Sequence, residues 1–314
     1  MKVLVTGGAG FIGSHVVDRL IADGHQVVVV DDLSNGKREN LNPAATFYQM
    51  DIQDPALADL FEKEKPEIVN HHAAQMDVRR AVEDPVFDAR VNILGFLNVL
   101  ENCVRHQVRK VIFISSGGAV YGEPEQLPAE ETHPIRPITP YGVTKYTGEK
   151  YLYFYRAVHK LDYTVLRYAN VYGPRQDPHG EAGVVAIFIG LLARGETPTV
   201  FRYPDGEMLR DYVFVRDVVE ANIAAMSRGS GQEFNIGTGR GTSVSDLLAA
   251  VQRVMGTDIE PRYGAARPGE IRQTYLAIER AARLLDWRPK VSLEQGLYET
   301  AEWFRQHAQA KKPA

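Results

Sequence analysis

Val3-Leu4-Val5-Thr6-Gly7-Gly8-Ala9-Gly10-Phe11-Ile12-Gly13-Ser14-His15-Val16-Val17 opens the chain with a short apolar run, a glycine-rich turn and the start of an amphipathic helix. Glycines at 7, 10 and 13 permit a tight turn, close approach of backbone to a pyrophosphate, and close packing of helix on strand. Amides at the helix N-terminus, from Phe11 and Ile12 onward, supply the positive end for phosphates. A glycine triplet alone is weak, but here a strand precedes it, a helix follows it, and an acid, Asp31, stands 18 residues past Gly13. Asp31 closes the run Val27-Val28-Val29-Val30. A carboxylate there can accept both adenosine-ribose hydroxyls and repel a 2′-phosphate, which selects NAD over NADP. Asp31 and Asp32 can instead simply cap a loop. Asp51 with Ile52, just past the third strand, suits the adenine amino group, or alternatively leads a helix.

Outward from this stretch, strand and helix alternate. Ile68-Val69 and Val111-Ile112-Phe113-Ile114 are further apolar runs without alternation, the mark of strands buried on both faces of a parallel sheet. Helical patterns lie between them: Val16, Val17, Leu20 and Ile21 share a face ended by Gly24, and residues 54–64 and 91–104 follow the same logic. This order predicts an α/β fold, a doubly wound parallel sheet of the Rossmann kind. After Gly173-Pro174 the rhythm changes. Helices are expected at 183–194, 217–227, around Leu247 to Val254, at 278–285 and at 293–304, with short strands at 213–215 and 234–236. The expected division is residues 1–172, binding NAD, and 173–314, a smaller α/β substrate-binding lobe, with an approximate boundary that the chain can recross. Residues 311–314 read as a loose tail.

Composition sets the limits. The net charge of −4, from 36 basic and 40 acidic residues, gives no electrostatic footprint for nucleic acid or an anionic membrane. The longest apolar stretch, 184–193, is half the roughly 20 residues of a membrane span. A single cysteine, Cys103, excludes an intramolecular disulfide, and strand-like residues follow Met1 with no room for a signal peptide. A cytoplasmic protein is expected. His71 and His72 point to opposite sides of a strand, and no other cluster has ligand spacing, so no metal is expected.

Tyr141-Gly142-Val143-Thr144-Lys145 sets a phenol and an ammonium four residues apart, on one helical face. A free phenol, with pKa of about 10, is too weak an acid to serve as base near neutrality. A neighbouring ammonium favours the phenolate. Following the glycine turn, a fifth strand and Ser115-Ser116, the pair becomes a specific signal.

These motifs resemble the extended short-chain dehydrogenase/reductase family, and within it the UDP-glucose 4-epimerases. The similarity runs over nearly the whole chain, through His72-Ala73-Ala74-Gln75, Val120-Tyr121-Gly122, Pro140-Tyr141-Gly142 and the stretch from Leu166 to Arg175, then Arg210-Asp211-Tyr212-Val213, Phe234-Asn235-Ile236-Gly237 and Arg267-Pro268-Gly269. The resemblance implies Tyr141 as base and Lys145 as its partner and nicotinamide-ribose ligand. It extends the adenosine end to Asp32 and Asn35, lines the cofactor channel with Ser115, Ala73, Ala74, Gln75 and Asn92, and sets Tyr168 near the nicotinamide. Asn170 is implied on the phosphate side of a sugar nucleotide, Phe201 at the uracil, and Arg210 with Arg267 as a pyrophosphate clamp. Val185 and Glu270 join that site. Thr274 falls where a residue beside the sugar's C2 substituent is implied, and a slip of one residue would put Tyr275 there instead. A homodimer built on helices near 92–105 and 141–159 is also implied.

One departure concerns the catalytic hydroxyl. The family's Ser/Thr stands four residues before the Tyr-Gly pair, a place held here by Gly117. Ser116 regains it if Gly117-Gly118 is a one-residue extension, with Ser115 the rival. The implied reaction is 4-epimerisation of a UDP-hexose through a transient 4-keto sugar, with NAD retained and no net redox. N-acetylated sugars fit if Thr274 lines the pocket. Other outcomes stay open. A 4,6-dehydratase would need an Asp-Glu pair where Gly118 and Ala119 stand. A UDP-glucuronate enzyme would have to tolerate Asp177, and the decarboxylases carry a Glu near Ala119. A non-catalytic NAD-sensing protein would have no use for intact Tyr141 and Lys145.

Overall fold

A computed structural model describes residues 1–178, 183–266 and 270–310, so the expected tail lies outside the described residues. The first part runs β1 (Lys2–Thr6), α1 (Phe11–Ala22), β2 (Gln26–Asp31), β3 (Thr46–Gln49), α2 (Leu57–Glu64) and β4 (Ile68–His71). Two short helices follow, α3 (Val78–Glu83) and α4 (Pro85–Ala89). A π-helical turn (Arg90–Gly95) then leads into α5 (Phe96–Arg105), β5 (Lys110–Ser116), α6 (Gly117–Val120), α7 (Pro140–His159) and β6 (Asp162–Tyr168).

The second part contains β7 (Asn170–Tyr172), α8 (Val184–Ala193), β8 (Thr199–Arg202), β9 (Leu209–Arg210), β10 (Tyr212–Phe214) and α9 (Val215–Ala225). It ends with β11 (Gln232–Ile236), β12 (Thr242–Ser243), α10 (Val244–Met255), β13 (Arg262–Ala265), β14 (Gln273–Thr274), α11 (Glu279–Leu284) and α12 (Leu293–Ala310).

Seven strands form one sheet in the order β11-β6-β5-β4-β1-β2-β3, every pairing parallel. The uninterrupted valines of β2 are explained by this geometry, since they face helices on both sides and are buried. One face packs α1 and α9 through Val16, Val17, Leu20, Val218 and Ala221. The other packs α2, α5 and α7 through Leu57, Phe61, Phe96, Leu100 and Leu152. The strand order reverses between β1 and β4, and such a switch point opens a crevice at the carboxyl ends of the strands. From the second part, β11 joins β6 in the large sheet and α9 packs beside α1. A separate core gathers α8, α10 and α12 with β8 around Val185, Phe188, Leu247, Val251 and Leu297.

Two boundaries differ from the pattern. Residues 54–56 are a turn, because the Asp54 carboxylate accepts the Ala56 amide at 2.8 Å and α2 begins at Leu57. Val215 starts α9 rather than ending a strand, with Asp217 in the helix's first turn, where a carboxylate is favoured by the exposed amides.

Candidate active site

The glycine turn lies at the switch point. Gly7 has φ of +69°, and a Cβ there would stand 2.6 Å from the Ala73 amide nitrogen just beyond β4. Glycine alone satisfies both conditions. A Cβ on Gly13 would stand 2.3 Å from the Gly7 carbonyl oxygen, so α1 rests directly on the turn. Gly10 caps α1 with extended backbone and brings no side chain to the first-turn amides. The Phe11 and Ile12 amides therefore lack intrahelical acceptors. Open backbone, free amides and a helix N-terminus fit a dinucleotide pyrophosphate.

Asp31 is buried and already tied to backbone: Oδ2 accepts the Ala9 amide at 2.9 Å and Oδ1 the Leu33 amide at 2.8 Å. It fastens the glycine turn to the loop after β2, leaving each oxygen further lone pairs. Burial raises its pKa, and the two amides oppose that shift. Asp32 and Asn35 are exposed, and Asp32 Oδ1 accepts the Ser34 amide at 2.8 Å. Both Asp51 oxygens are engaged by Gln53, at 2.8 and 3.0 Å, above the buried Ile52.

Helix α7 starts cleanly, with the Thr139 hydroxyl accepting the Gly142 amide at 3.2 Å and Pro140 in the first turn. Tyr141 is partly buried there. Lys145, one turn on, is buried; its Nζ donates to the Ile114 carbonyl at 3.0 Å and lies 5.7 Å from the centre of the Tyr141 ring. Burial pulls its pKa down to about 8, and Asp88 pushes the other way. His71 stacks on Phe96 and shares a hydrogen bond of 2.8 Å with Thr6 Oγ1. Burial first, then the Lys145 charge, holds His71 well below its ordinary pKa and His72 at about 3.

The two serines separate. Ser116 ends β5, and a Cβ built on Gly118 would meet its Oγ at 3.9 Å and nothing else within 4 Å. Ser115 faces the other way in the strand. Its hydroxyl donates to Glu149 at 2.7 Å, Glu149 takes a two-pronged ion pair from Arg167, and Arg167 reaches Tyr121, which donates to Asn235 at 2.7 Å. Its hydroxyl is thereby engaged in a buried polar chain that also absorbs Tyr121, the centre of the Val-Tyr-Gly motif. Tyr168, the register partner of Ser116, takes the opposite face from Ser115: its ring lies in the core on the α9 side, and its hydroxyl accepts from Asn222 at 2.6 Å. In both cases the strand's alternation decides which face the side chain takes.

Gln75 and Asn92 do come together. The Gln75 amide donates to Asn92 Oδ1 at 2.9 Å, and Asn92 Nδ2 returns a bond to the Gln75 carbonyl at 2.8 Å. Asn92 sits on the π turn, a distortion often found at functional sites. Ala73 and Ala74 line the partly exposed stretch after β4. A residue that sequence reasoning passed over, Asp88, lies fully buried beneath this pair. Its signal was available: Asp88 and Asn92 are four apart.

In the smaller lobe, Arg210 of β9 is register partner to both Thr242 and Thr274. Its Nη1 reaches the Leu209 and Arg272 carbonyls at 2.9 and 3.2 Å, and no carboxylate lies within 4.0 Å of its guanidinium among the described residues. Desolvation lowers its pKa. Thr274 is buried beside it. Tyr275, facing the opposite way, lies over Gly241, where a Cβ would stand 2.8 Å from its ring. Asn170 opens β7, partly buried, its amide bonded to the Asp211 carbonyl at 2.9 Å. Phe201 packs on Gly264, and the Glu270 carbonyl accepts the Tyr203 hydroxyl. Val185 is buried in the core of α8 rather than at a surface. Arg267 lies outside the described residues. Asp177 is ion-paired to Lys37 at 2.8 Å, across the loop after β2.

A doubly wound sheet with a glycine turn at its switch point and a Tyr–Lys pair on α7 defines a protein of the short-chain dehydrogenase/reductase class. More narrowly, the chain belongs to the NAD dependent epimerase/dehydratase family, whose model matches residues 3–237. It is 48% identical to the UDP-glucose 4-epimerase of Mycolicibacterium smegmatis over 98% of this chain and 100% of that one. Among solved structures it is similar to a UDP-glucose 4-epimerase with UDP-glucose from Thermotoga maritima, at 52% identity and a TM-score of 0.95, covering 98% of this chain and 100% of that one. It is also similar to the Thermus thermophilus UDP-glucose 4-epimerase in complex with NAD, at 45% identity and a TM-score of 0.91, covering 97% and 99%.

Proposed function

We propose that the chain is an NAD-dependent UDP-hexose 4-epimerase interconverting UDP-glucose and UDP-galactose. The observation that carries the reading is the buried Lys145 ammonium 5.7 Å from the centre of the Tyr141 ring, one turn apart on α7. Gly7, Gly10, Gly13 and the first amides of α1 hold the pyrophosphate of NAD, Asp31 the adenosine ribose, and Lys145 the nicotinamide ribose. NAD, when bound, supplies the hydride acceptor and donor at the sugar's C4. Tyr141 Oη takes the proton of the 4-hydroxyl and later returns it, with Ser116 donating to the same oxygen. Lys145 stabilises the phenolate by its charge. Arg210, which has no carboxylate within 4.0 Å among the described residues, and Asn170 hold the substrate's pyrophosphate. Thr274, small and beside Arg210, leaves space for an N-acetyl group at C2.

A second reading, a UDP-glucuronate 4-epimerase, gains from the Lys37–Asp177 ion pair, which offsets the acidic charge expected to repel a uronate. One assay separates the two: incubation with UDP-galactose, UDP-N-acetylgalactosamine and UDP-galacturonate, with products resolved by chromatography. UDP-glucose formed from UDP-galactose supports the first reading. Conversion of UDP-galacturonate alone supports the second, and no conversion by NAD-loaded protein rejects both.

The working unit is proposed as a homodimer. Helix α7 exposes Val143, Phe154 and Val158, with Leu94 nearby on the π turn, an apolar stripe on the two helices expected to pair. Light scattering on the purified protein measures this directly. Cys103 is buried and burial raises its pKa, and no helix among the described residues is long and apolar enough to cross a membrane.

A further inference from the structure

Asp88 is 0% exposed and has no cation within 4.0 Å among the described residues. Three donors from three different segments converge on it. Asn92 Nδ2 reaches Oδ1 at 3.0 Å, Gln75 Nε2 reaches Oδ1 at 3.2 Å, and the Thr144 hydroxyl reaches Oδ2 at 2.8 Å. With Thr144 donating, the carboxyl accepts on both oxygens, as its ionised form does; burial raises its pKa, and these three bonds and the Lys145 charge oppose that shift. Such a buried anion is costly unless its charge is used. Thr144 stands between Tyr141 and Lys145 on α7 and immediately precedes the ammonium.

We propose that Asp88 is a positioning residue for the Tyr141–Lys145 pair: its buried carboxylate supplies the counter-charge that keeps Lys145 protonated, while clamping Gln75 and Asn92 in place. The inference rests on the epimerase reading for the role of Lys145. The other groups around Lys145 cannot take this part. His71 and His72, at the end of β4, are held neutral by burial and by the ammonium itself. Glu149, one turn further along α7, is neutralised by Arg167 at 2.6 Å. Ile114 offers a carbonyl and Phe113 a ring face, 5.3 Å from Nζ. Tyr141 is the group being activated. Burial lowers the Lys145 pKa and Asp88 is the charge that raises it.

The sign follows. Removing a negative charge disfavours the ammonium, so Lys145 loses its proton at lower pH and the falling limb of kcat/KM moves toward acid. Asp88→Asn is expected to move that limb by about one pH unit, the low end of what one nearby opposite charge does. Thr144→Val keeps the charge and removes one hydrogen bond, so its limb stays where the wild type's is. A second readout needs no turnover: NMR titration of ¹³Cε-labelled lysines in the NAD-loaded protein, with the Lys145 signal assigned by its loss in Lys145→Arg. The Lys145 midpoint should fall in Asp88→Asn and hold in Thr144→Val. An unmoved midpoint in a folded, NAD-loaded Asp88→Asn overturns the proposal, as does an equal shift in Thr144→Val. If the midpoint shifts but no UDP-sugar is converted by wild type, the epimerase reading fails and the electrostatic role of Asp88 stands.

Discussion

Replacing Arg210 with methionine should weaken nucleotide binding without weakening the fold. The side chain is partly buried and desolvation disfavours its charge, yet no carboxylate pairs with it among the described residues. Its guanidinium carries five N–H groups, and its protein partners are two carbonyls on one nitrogen and the Met208 sulfur on another. The remaining donors suit a pyrophosphate. Losing a hydrogen bond to a charged group removes about 1.5–3 kcal/mol, so the Kd for UDP should rise about 10- to 150-fold. The stability effect has the other sign. A desolvated arginine with only the more distant Glu270 and Glu123 charges to offset its own adds little to the fold, and replacing such a partly buried charge by an apolar chain of similar length is often neutral or stabilising. The backbone pairs of Arg210 with Thr242 and Thr274 survive the change. Isothermal titration with UDP and thermal melting of ligand-free protein measure both arms. A Kd within about twofold of wild type, where at least tenfold is expected, refutes the phosphate role. A melting point that drops steeply would make Arg210 structural instead.

Tyr141→Phe should leave folding and NAD content intact and lower kcat by about 10²–10⁴, the usual contribution of a positioned proton acceptor; steady-state assay beside cofactor quantitation checks both, and a residual rate above a tenth of wild type refutes the base assignment. Asp31→Ala should narrow the preference for NAD over NADP, and should also lower thermal stability by about 1–3 kcal/mol because the buried Ala9 amide loses its acceptor; equal affinity of wild type for both cofactors would refute the carboxylate reading. Thr274→Tyr should cut turnover of UDP-N-acetylgalactosamine 10- to 100-fold, from about 1–3 kcal/mol of overpacking, and spare UDP-galactose; parallel kinetics on the two sugars decide it, and equal losses on both would mean the site was only a packing position.

Fold and cofactor turn were legible because each local signal constrained the same geometry. The glycine spacing, the unbroken valines and the acid after them all require a parallel sheet with a helix packed close. Side-chain direction was less legible. Ser115 and Ser116 are adjacent and chemically identical, and the strand's alternation alone sends one to Glu149 and leaves the other beside Gly118. The same rule sends Tyr168 into the α9 core and separates Thr274 from Tyr275. Asp31 was read as a ribose ligand from its position, but that both its oxygens already hold backbone amides depends on how the loop after β2 folds. Asp88 stayed hidden because its partners at 75 and 144 are distant in sequence, and only the Asn92 spacing was local. Val185 lies on an apolar helix, where burial in the lobe core was the simpler reading.

What distinguishes a 4-epimerase from its relatives is the set of groups near the sugar, and here small residues and engaged cations decide it. Elimination of water needs an acid and a base at the places of Gly118 and Ala119; a glycine that meets only the Ser116 hydroxyl provides neither. For a uronate the test is different. The acidic charge of Asp177 is offset by Lys37, and because both side chains are about 40% exposed the pair is screened and contributes little either way. Repulsion is therefore a poor reason to reject a uronate. The stronger reason is attraction: a sugar carboxylate leaving water needs a cation of its own. Lys145 is held by the Ile114 carbonyl beneath Tyr141, in the field of Asp88. Arg210 is positioned on β9, where the proposed pyrophosphate takes its free donors. With Lys145 and Arg210 engaged in this way, a neutral hydroxymethyl at C5 is the better fit, and UDP-galactose should outpace UDP-galacturonate in the same assay.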